Sequence, residues 1–217
     1  MSEFAARRVM MVDTQVRPSD VTKFPIIAAM LAVPREVYVP RARREAAYVG
    51  ENVDIGSGRV MLEPRTLAKM LDALDILPSE AVLDIGCGLG YSTAIIARLA
   101  EAVVAVEEDS AMAADAQRSL SAEGVDNAAV VVAPLHVGDA KHGPYDVIMV
   151  QGGVEIVPEA LIAQLKDGGR IGAVFMQGAL GIARIGHKAN GQVTWRFSFN
   201  ATAPVLRGFA ATRAFTL

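Results

Sequence analysis

Cysteine is all but absent: Cys87 is the only one in 217 residues. An internal disulfide is therefore excluded, and a reducing, cytoplasmic setting is expected. Long apolar runs are missing too, since no stretch reaches the ~18 residues of a membrane span. The opening MSEFAARRVMMVDTQ has no apolar core of signal-peptide length, so no membrane association is expected. Charge of one sign is also lacking. The 21 basic and 24 acidic residues leave a net charge of −3, which offers nucleic acid no basic field. Arg41, Arg43 and Arg44 form the densest basic cluster, read as a solvated helix face or as a docking patch for an acidic partner. His136, His142 and His187 have no metal-ligand spacing with Cys87 or each other, so no metal is expected, and no nucleophile elbow occurs.

What is present is a large apolar fraction, 52% of residues, with 21% charged, enough for one well-cored α/β domain carrying an N-terminal appendage. The first 80 residues read as irregularly helical. Ser19 or Asp20 is positioned to cap a helix running to Ala32, with Pro25 in its first turn. VPREVYVP (33–40) reads as an extended connector between prolines, and a helical period from Pro64 carries Leu67, Met70, Leu71 and Leu74.

After residue 80, strands alternate with helices: strands at 81–85, 102–106, 128–133, 145–150 and 170–176, and helices at 93–100, 110–124 and 158–169. GIARIGHK and QVTWRFSF, either side of Ala189, Asn190 and Gly191, read as an antiparallel hairpin. This rhythm predicts a parallel sheet covered by helices and closed at one edge by the hairpin. Trp195 in that hairpin is expected to pack.

The chemistry concentrates in VLDIGCGLG (82–90). Gly86, Gly88 and Gly90 follow a strand, where an open α/β sheet places its ligands and where backbone N–H groups can approach one closely. A dinucleotide fingerprint would need glycine at 91, and Tyr91 stands there. Asp84 discriminates further. Beside a pyrophosphate it would meet like charge at about 4 Å, a cost on the order of 4 kcal/mol at an effective dielectric near 20. A cationic, phosphate-free nucleoside suits it, and S-adenosylmethionine is one, with an ammonium and a sulfonium. Glu107 ends the next strand, where an acid accepts both ribose hydroxyls, although dinucleotide sites use the same device. The next two residues, Glu108 and Asp109, read as exposed or helix-capping.

Beyond these motifs, the chain resembles the protein-L-isoaspartate O-methyltransferases over nearly its whole length. The marks are VPREVYVP, AYVGENVDIGSG, LEPRTLAKMLDAL, VLDIGCGLGYST with VVAVEE, YDVIMVQGGVEIVPEAL with LKDGGRIGAVF, and APVL at 203–206. The resemblance implies a Rossmann-like class I methyltransferase sheet, mostly parallel with a C-terminal antiparallel hairpin, helices on both faces and a small helical N-terminal cap. It implies a cap and substrate-side segment at 1–78 and a cofactor-binding core at 79–217, in one continuous domain. It implies methyl transfer from S-adenosyl-L-methionine to the carboxylate of an isoaspartyl residue in a damaged protein or peptide, with nothing implied about oligomeric state.

On that resemblance the cofactor would be held by Asp84, Gly86, Cys87, Gly88, Leu89, Gly90, Tyr91, Glu107 and Glu108, with Pro134 and Leu135 at the adenine. Cys87 would act through its backbone. The acceptor would lie between Arg59, Val60 and Leu62, Gly152 with Gly153, and Pro204, Val205 and Leu206. Two departures stand out. The family has a threonine and a serine where this chain has Val60 and Leu62, which share one face of an extended segment. A carboxylate there loses water without gaining a donor, about 1 to 3 kcal/mol per missing hydrogen bond. Arg59 and Arg65 flank the segment and read either as solvent-facing or as a charge-assisted donor; if Arg59 follows strand alternation it points away, which leaves Arg65 the better substitute. The family's Gly-Asp-Gly after the third strand is Ala133, Pro134 and Leu135, with Gly138 and Asp139 out of register. Transfer to a different acceptor, and a non-catalytic cofactor-binding sensor or partner, are the alternatives.

Overall fold

The computed structural model describes residues 3–211. Seven strands form one sheet. The first five of these in spatial order run parallel: β5 (Ala128–Val132), β4 (Ala102–Glu107), β3 (Ala81–Ile85), β6 (Tyr145–Val154) and β7 (Leu165–Gln177). β8 (Leu180–Ala189) and β9 (Gln192–Asn200) add antiparallel, turning at Asn190 and Gly191, both with positive φ. Between β3 and β6 the chain direction of winding reverses, β4 and β5 going one way and β6 and β7 the other. That reversal opens a crevice at the carboxyl ends of β3 and β6. Val82, Leu83 and Ile85 are fully buried because the central strand of a parallel sheet is covered on both faces.

The crossover helices are α4 (Tyr91–Ile96) and α5 (Ser110–Ala122); the side chain of Asp109 caps α5 by accepting from the N–H groups of Ala111 and Met112. The N-terminal region contributes α1 (Glu3–Met11), α2 (Phe24–Ala32) and α3 (Pro64–Leu74), and its buried side chains join one apolar cluster with Val82, Ile95, Val147 and Ala183 of the sheet region. Pro64 opens α3, whose Leu67, Met70, Leu71 and Leu74 face inward. Arg170 of β7 pins its end, donating to the carbonyls of Leu74 and Asp75 and to both oxygens of Glu80. None of the helices among the described residues is long and apolar enough to cross a membrane.

Several boundaries differ from the sequence pattern. The helix expected at 158–169 is one short turn, α6 (Glu159–Ala163), because β7 begins at Leu165. There the Tyr145 N–H donates to the Gln164 carbonyl, and Lys166 pairs with Asp146. The expected helix from Ser19 starts at Phe24 instead, since Ser19 Oγ turns back to the Gln15 and Val16 carbonyls and Asp20 is left-handed. Inside 33–40 a 3₁₀ turn (Arg35–Tyr38) buries both of its end residues. Finally, β1 (Val53–Gly56) and β2 (Arg59–Met61) form a two-stranded ribbon turning at Ser57 and Gly58, φ 53° and 70°. This ribbon lies over the glycine loop.

Candidate functional site

Asp84 stands near the end of β3, entirely buried. The Ser92 and Thr93 hydroxyls each donate to its Oδ2 at 2.7 Å, and Gln151 Nε2 donates to Oδ1 at 2.8 Å. Burial pushes the carboxyl up from its ordinary value, against the pull of those three donors. Asp84 is thus enclosed behind the loop rather than open to the crevice. Its companions come from the first turn of α4 and from β6, the strand paired with β3.

The glycine loop follows. Gly86 and Gly88 both have positive φ, 78° and 56°. Each is also pressed by the ribbon. A Cβ on Gly86 would lie 2.6 Å from Arg59 Nη2, and one on Gly88 would lie 2.4 Å from Ile55 Cδ1. Cys87 is buried with its thiol pushed well up, foremost by burial, which leaves the backbone as its contribution. Gly90 takes the left-handed conformation that turns the chain into α4. Tyr91 begins that helix, fully buried, under the Arg35 guanidinium, whose carbon sits 4.7 Å from the ring centroid. Leu89, Tyr91, Cys87 and Gly86 line a narrow cavity of about 20 Å³, and so do Val60, Leu62 and Gln151.

Glu107 closes β4 with zero exposure. Its carboxylate accepts the backbone N–H groups of Gly88, Glu108 and Asp109 at 2.8, 2.9 and 3.2 Å. Arg59 completes the shell: Nη1 donates to both oxygens at 3.0 and 3.2 Å, and Nη2 donates to the Gly86 carbonyl at 2.7 Å. Strand alternation does hold in β2, but the buried face of the ribbon is the one carrying Arg59 and Met61, while Val60 is half-buried. Arg59 therefore points into the site. Arg65 does not: it is exposed, 3.4 Å from the Asn200 carbonyl and over the Phe199 ring, away from the loop.

Beside Glu107 opens a cleft of about 510 Å³ lined by Arg59, Glu108, Val205, Leu206 and Arg207. The 203–206 segment runs along the end of β6. Gly153 donates to the Pro204 carbonyl, Leu206 donates back to Gly153, and Leu206 fills the space where Gly152 lacks a Cβ. Pro204 itself is exposed. On the far side, Leu135 is fully buried with Tyr145, Leu161 and Phe209, and Pro134 is exposed. Asp139 turns to His142 and Tyr145. No group of three or more potential metal ligands occurs among the described residues.

A wound-back glycine loop at the reversal point of a parallel sheet, with a buried acid ending the neighbouring strand, is the place where open α/β sheets in general bind nucleotide-type ligands. Residues 8–199 match the family model for protein-L-isoaspartate(D-aspartate) O-methyltransferase. The chain belongs to that family. A protein-L-isoaspartate O-methyltransferase of Syntrophus aciditrophicus is 36% identical over 194 residues, covering 88% of this chain and 89% of its own. One from Methylorubrum extorquens is 36% identical over 167 residues, 77% of this chain and 73% of its own. A solved protein-L-isoaspartate O-methyltransferase superposes with a TM-score of 0.80 at 25% identity, over 93% of this chain but only 66% of that longer one. A Plasmodium falciparum protein solved with S-adenosyl-L-homocysteine superposes at 0.79 over 95% of this chain and 99% of its own; at 18% identity it speaks to the fold alone.

Within this family member the sequence reached the loop and Glu107 but missed four contacts. Ser92, Thr93 and Gln151 brace Asp84, and Ile55 covers Gly88. The hydroxyl pair one residue past Gly90, after Tyr91, was a usable signal; Gln151 and Ile55 arrive only through strand pairing and ribbon docking.

Proposed function

We propose that this protein transfers a methyl group from S-adenosylmethionine to the α-carboxylate of an isoaspartyl residue in a protein or peptide. The observation that carries the reading is Glu107, a buried carboxylate ending β4 beside Gly86 and Gly88 in a chain whose family is shown. The residues fit such a cofactor. Glu107 suits a ribose diol, the loop backbone from Gly86 to Gly90 suits the methionine end, and Asp84 holds that loop through Ser92, Thr93 and Gln151.

When bound, the cofactor supplies a methyl on a cationic sulfur; transfer to a carboxylate oxygen makes a C–O bond while the S–C electron pair returns to sulfur. The acceptor is its own nucleophile and needs no proton removed. What the chain must provide is alignment and exclusion of water. Val60, Leu62, Leu67 and Tyr38 supply the apolar walls of the narrow cavity, which serve exclusion, and Ser92 and Gln151 mark its polar side. Gly152, Gly153 and the 203–206 segment form the acceptor wall, and work in the cytoplasm is proposed on the strength of a lone free thiol.

Labelled S-adenosylmethionine offered with an isoaspartyl peptide, its aspartyl twin and a cell extract tests this. Label on the isoaspartyl peptide alone supports the proposal. Label only on extract components points to another acceptor, a reading that Val60 and Leu62 favour, and tight cofactor binding without transfer points to a sensor.

A further inference from the structure

Arg59 stands where a ribose would have to be. The Glu107 carboxylate is already bound from one side by the N–H groups of Gly88, Glu108 and Asp109. Arg59 Nη1 takes the remaining acceptor capacity of both oxygens, and the two side chains are 7% and 0% exposed. A carboxylate offers about four lone-pair sites, so with five contacts in place none is left for two hydroxyls. The ribbon that carries Arg59 also rests Ile55 on Gly88, covering the loop from the crevice side.

We propose that Arg59 is a cofactor-released acceptor anchor. Arginine and ribose exclude one another on Glu107. Cofactor entry exchanges the guanidinium N–H donors for two hydroxyl donors, so Glu107 stays satisfied, while Arg59 loses its acid. A buried guanidinium without an anion is unfavourable, so Arg59 requires a new one. It borders the cleft shared with Val205, Leu206 and Arg207, and it directly precedes Val60, where the side chains offer an incoming carboxylate no hydroxyl. The acceptor's carboxylate is the anion that fits. The Arg59 Nε, buried and unpartnered in the closed arrangement, is a further donor for it. Acceptor binding is thereby made to follow cofactor binding.

This rests on the methyl-transfer reading above, and the experiment separates the two. S-adenosylhomocysteine is titrated calorimetrically into the wild-type chain and into Arg59→Met, which keeps the apolar stem without the charge. If the latched form predominates by about ten to one, apparent affinity in the variant rises about tenfold. Transfer to isoaspartyl peptide in the variant falls at least tenfold in kcat/KM, with the loss in KM. In wild type, isoaspartyl peptide binds only when S-adenosylhomocysteine is present, a measurement that needs no variant. Arg59→Met binding S-adenosylhomocysteine no tighter than wild type, or wild-type peptide binding indifferent to it, overturns the latch and leaves the methyltransferase reading intact. Wild type that binds no S-adenosylhomocysteine overturns both.

Discussion

Introducing hydroxyls at 60 and 62, as Val60→Thr with Leu62→Ser, should raise transfer to an isoaspartyl peptide. Val60 and Leu62 line the same narrow cavity as Gly86, Ser92 and Gln151, so hydroxyls introduced there would add donors beside the glycine loop, within reach of a carboxylate brought up to the methyl donor. A hydroxyl donating to a carboxylate contributes about 1.5 to 3 kcal/mol. Taking the low end twice gives about 3 kcal/mol, which is on the order of 100-fold in kcat/KM. The cost falls on stability. Leu62 is 3% exposed, and its truncation to serine removes about 2 to 4 kcal/mol, against a typical total of about 5 to 15 kcal/mol. Val60→Thr nearly conserves shape at a half-buried position and costs less. The double variant should therefore melt earlier yet stay folded at 25 °C. Initial rates on isoaspartyl peptide, with the aspartyl twin as control, give the gain; a melting curve and an S-adenosylhomocysteine titration certify the variant. A folded, cofactor-binding double variant with no gain in rate would refute the assignment of that face to the acceptor.

Other perturbations separate the two buried acids. Glu107→Gln should weaken S-adenosylhomocysteine binding at least tenfold, and because it strands the Arg59 guanidinium it should lower stability by about 3 to 5 kcal/mol; unchanged affinity by calorimetry would exclude a ribose at Glu107. Asp84→Asn replaces one acceptor oxygen by an N–H₂ that now faces groups donating to Asp84 (Ser92 and Thr93, or Gln151), so at least one of these hydrogen bonds is lost or must be turned round, and the change should cost about 1 to 3 kcal/mol in urea denaturation. Glu80 supplies a pH signature. Burial alone would raise its pKa, but the Arg170 guanidinium and the Leu77 N–H outweigh burial and hold it below the ordinary 4.5. A folded-state pKa below the unfolded one means stability is present above pH 4.5 and lost as pH falls through the lowered value. Arg170→Met should flatten that acid limb in denaturation curves run from pH 7 to pH 3, and a limb of unchanged slope would count against it.

What could be read in the sequence was what short-range rules determine. The buried run VLDI, the three glycines and Glu107 sit on consecutive elements, so periodicity and turn chemistry placed them, and the Asn190–Gly191 turn set the register of the last hairpin in the same local way. The helix at 158–169 failed because its Pro-first, Gly-last signature competes with pairing of Leu165 against Tyr145, a contact of the assembled sheet. Arg59 failed for a related reason. Alternation along β2 correctly separates Arg59 and Met61 from Val60, but which face is buried depends on where the whole ribbon docks. A charged residue on the inward face is the less expected choice until Glu107 is known to lie beneath it.

That docking gives the two acids their different characters. Asp84 is held by groups from the sheet and the first turn of α4, all neutral and all packed in place, so its partners have no reason to leave. Glu107 is held on one side by amides of its own loop and the glycine turn, which are equally fixed. Its remaining partner comes from a two-stranded ribbon of three paired positions, the smaller of the two sheets among the described residues, and an isolated two-stranded pair is marginal by itself. A ligand able to give Glu107 two hydroxyls therefore competes with one arginine rather than with the fold. On the proposed latch, exchange would be localised at Glu107, and Asp84, through its fixed partners, would keep the loop in shape for a nucleoside bound there.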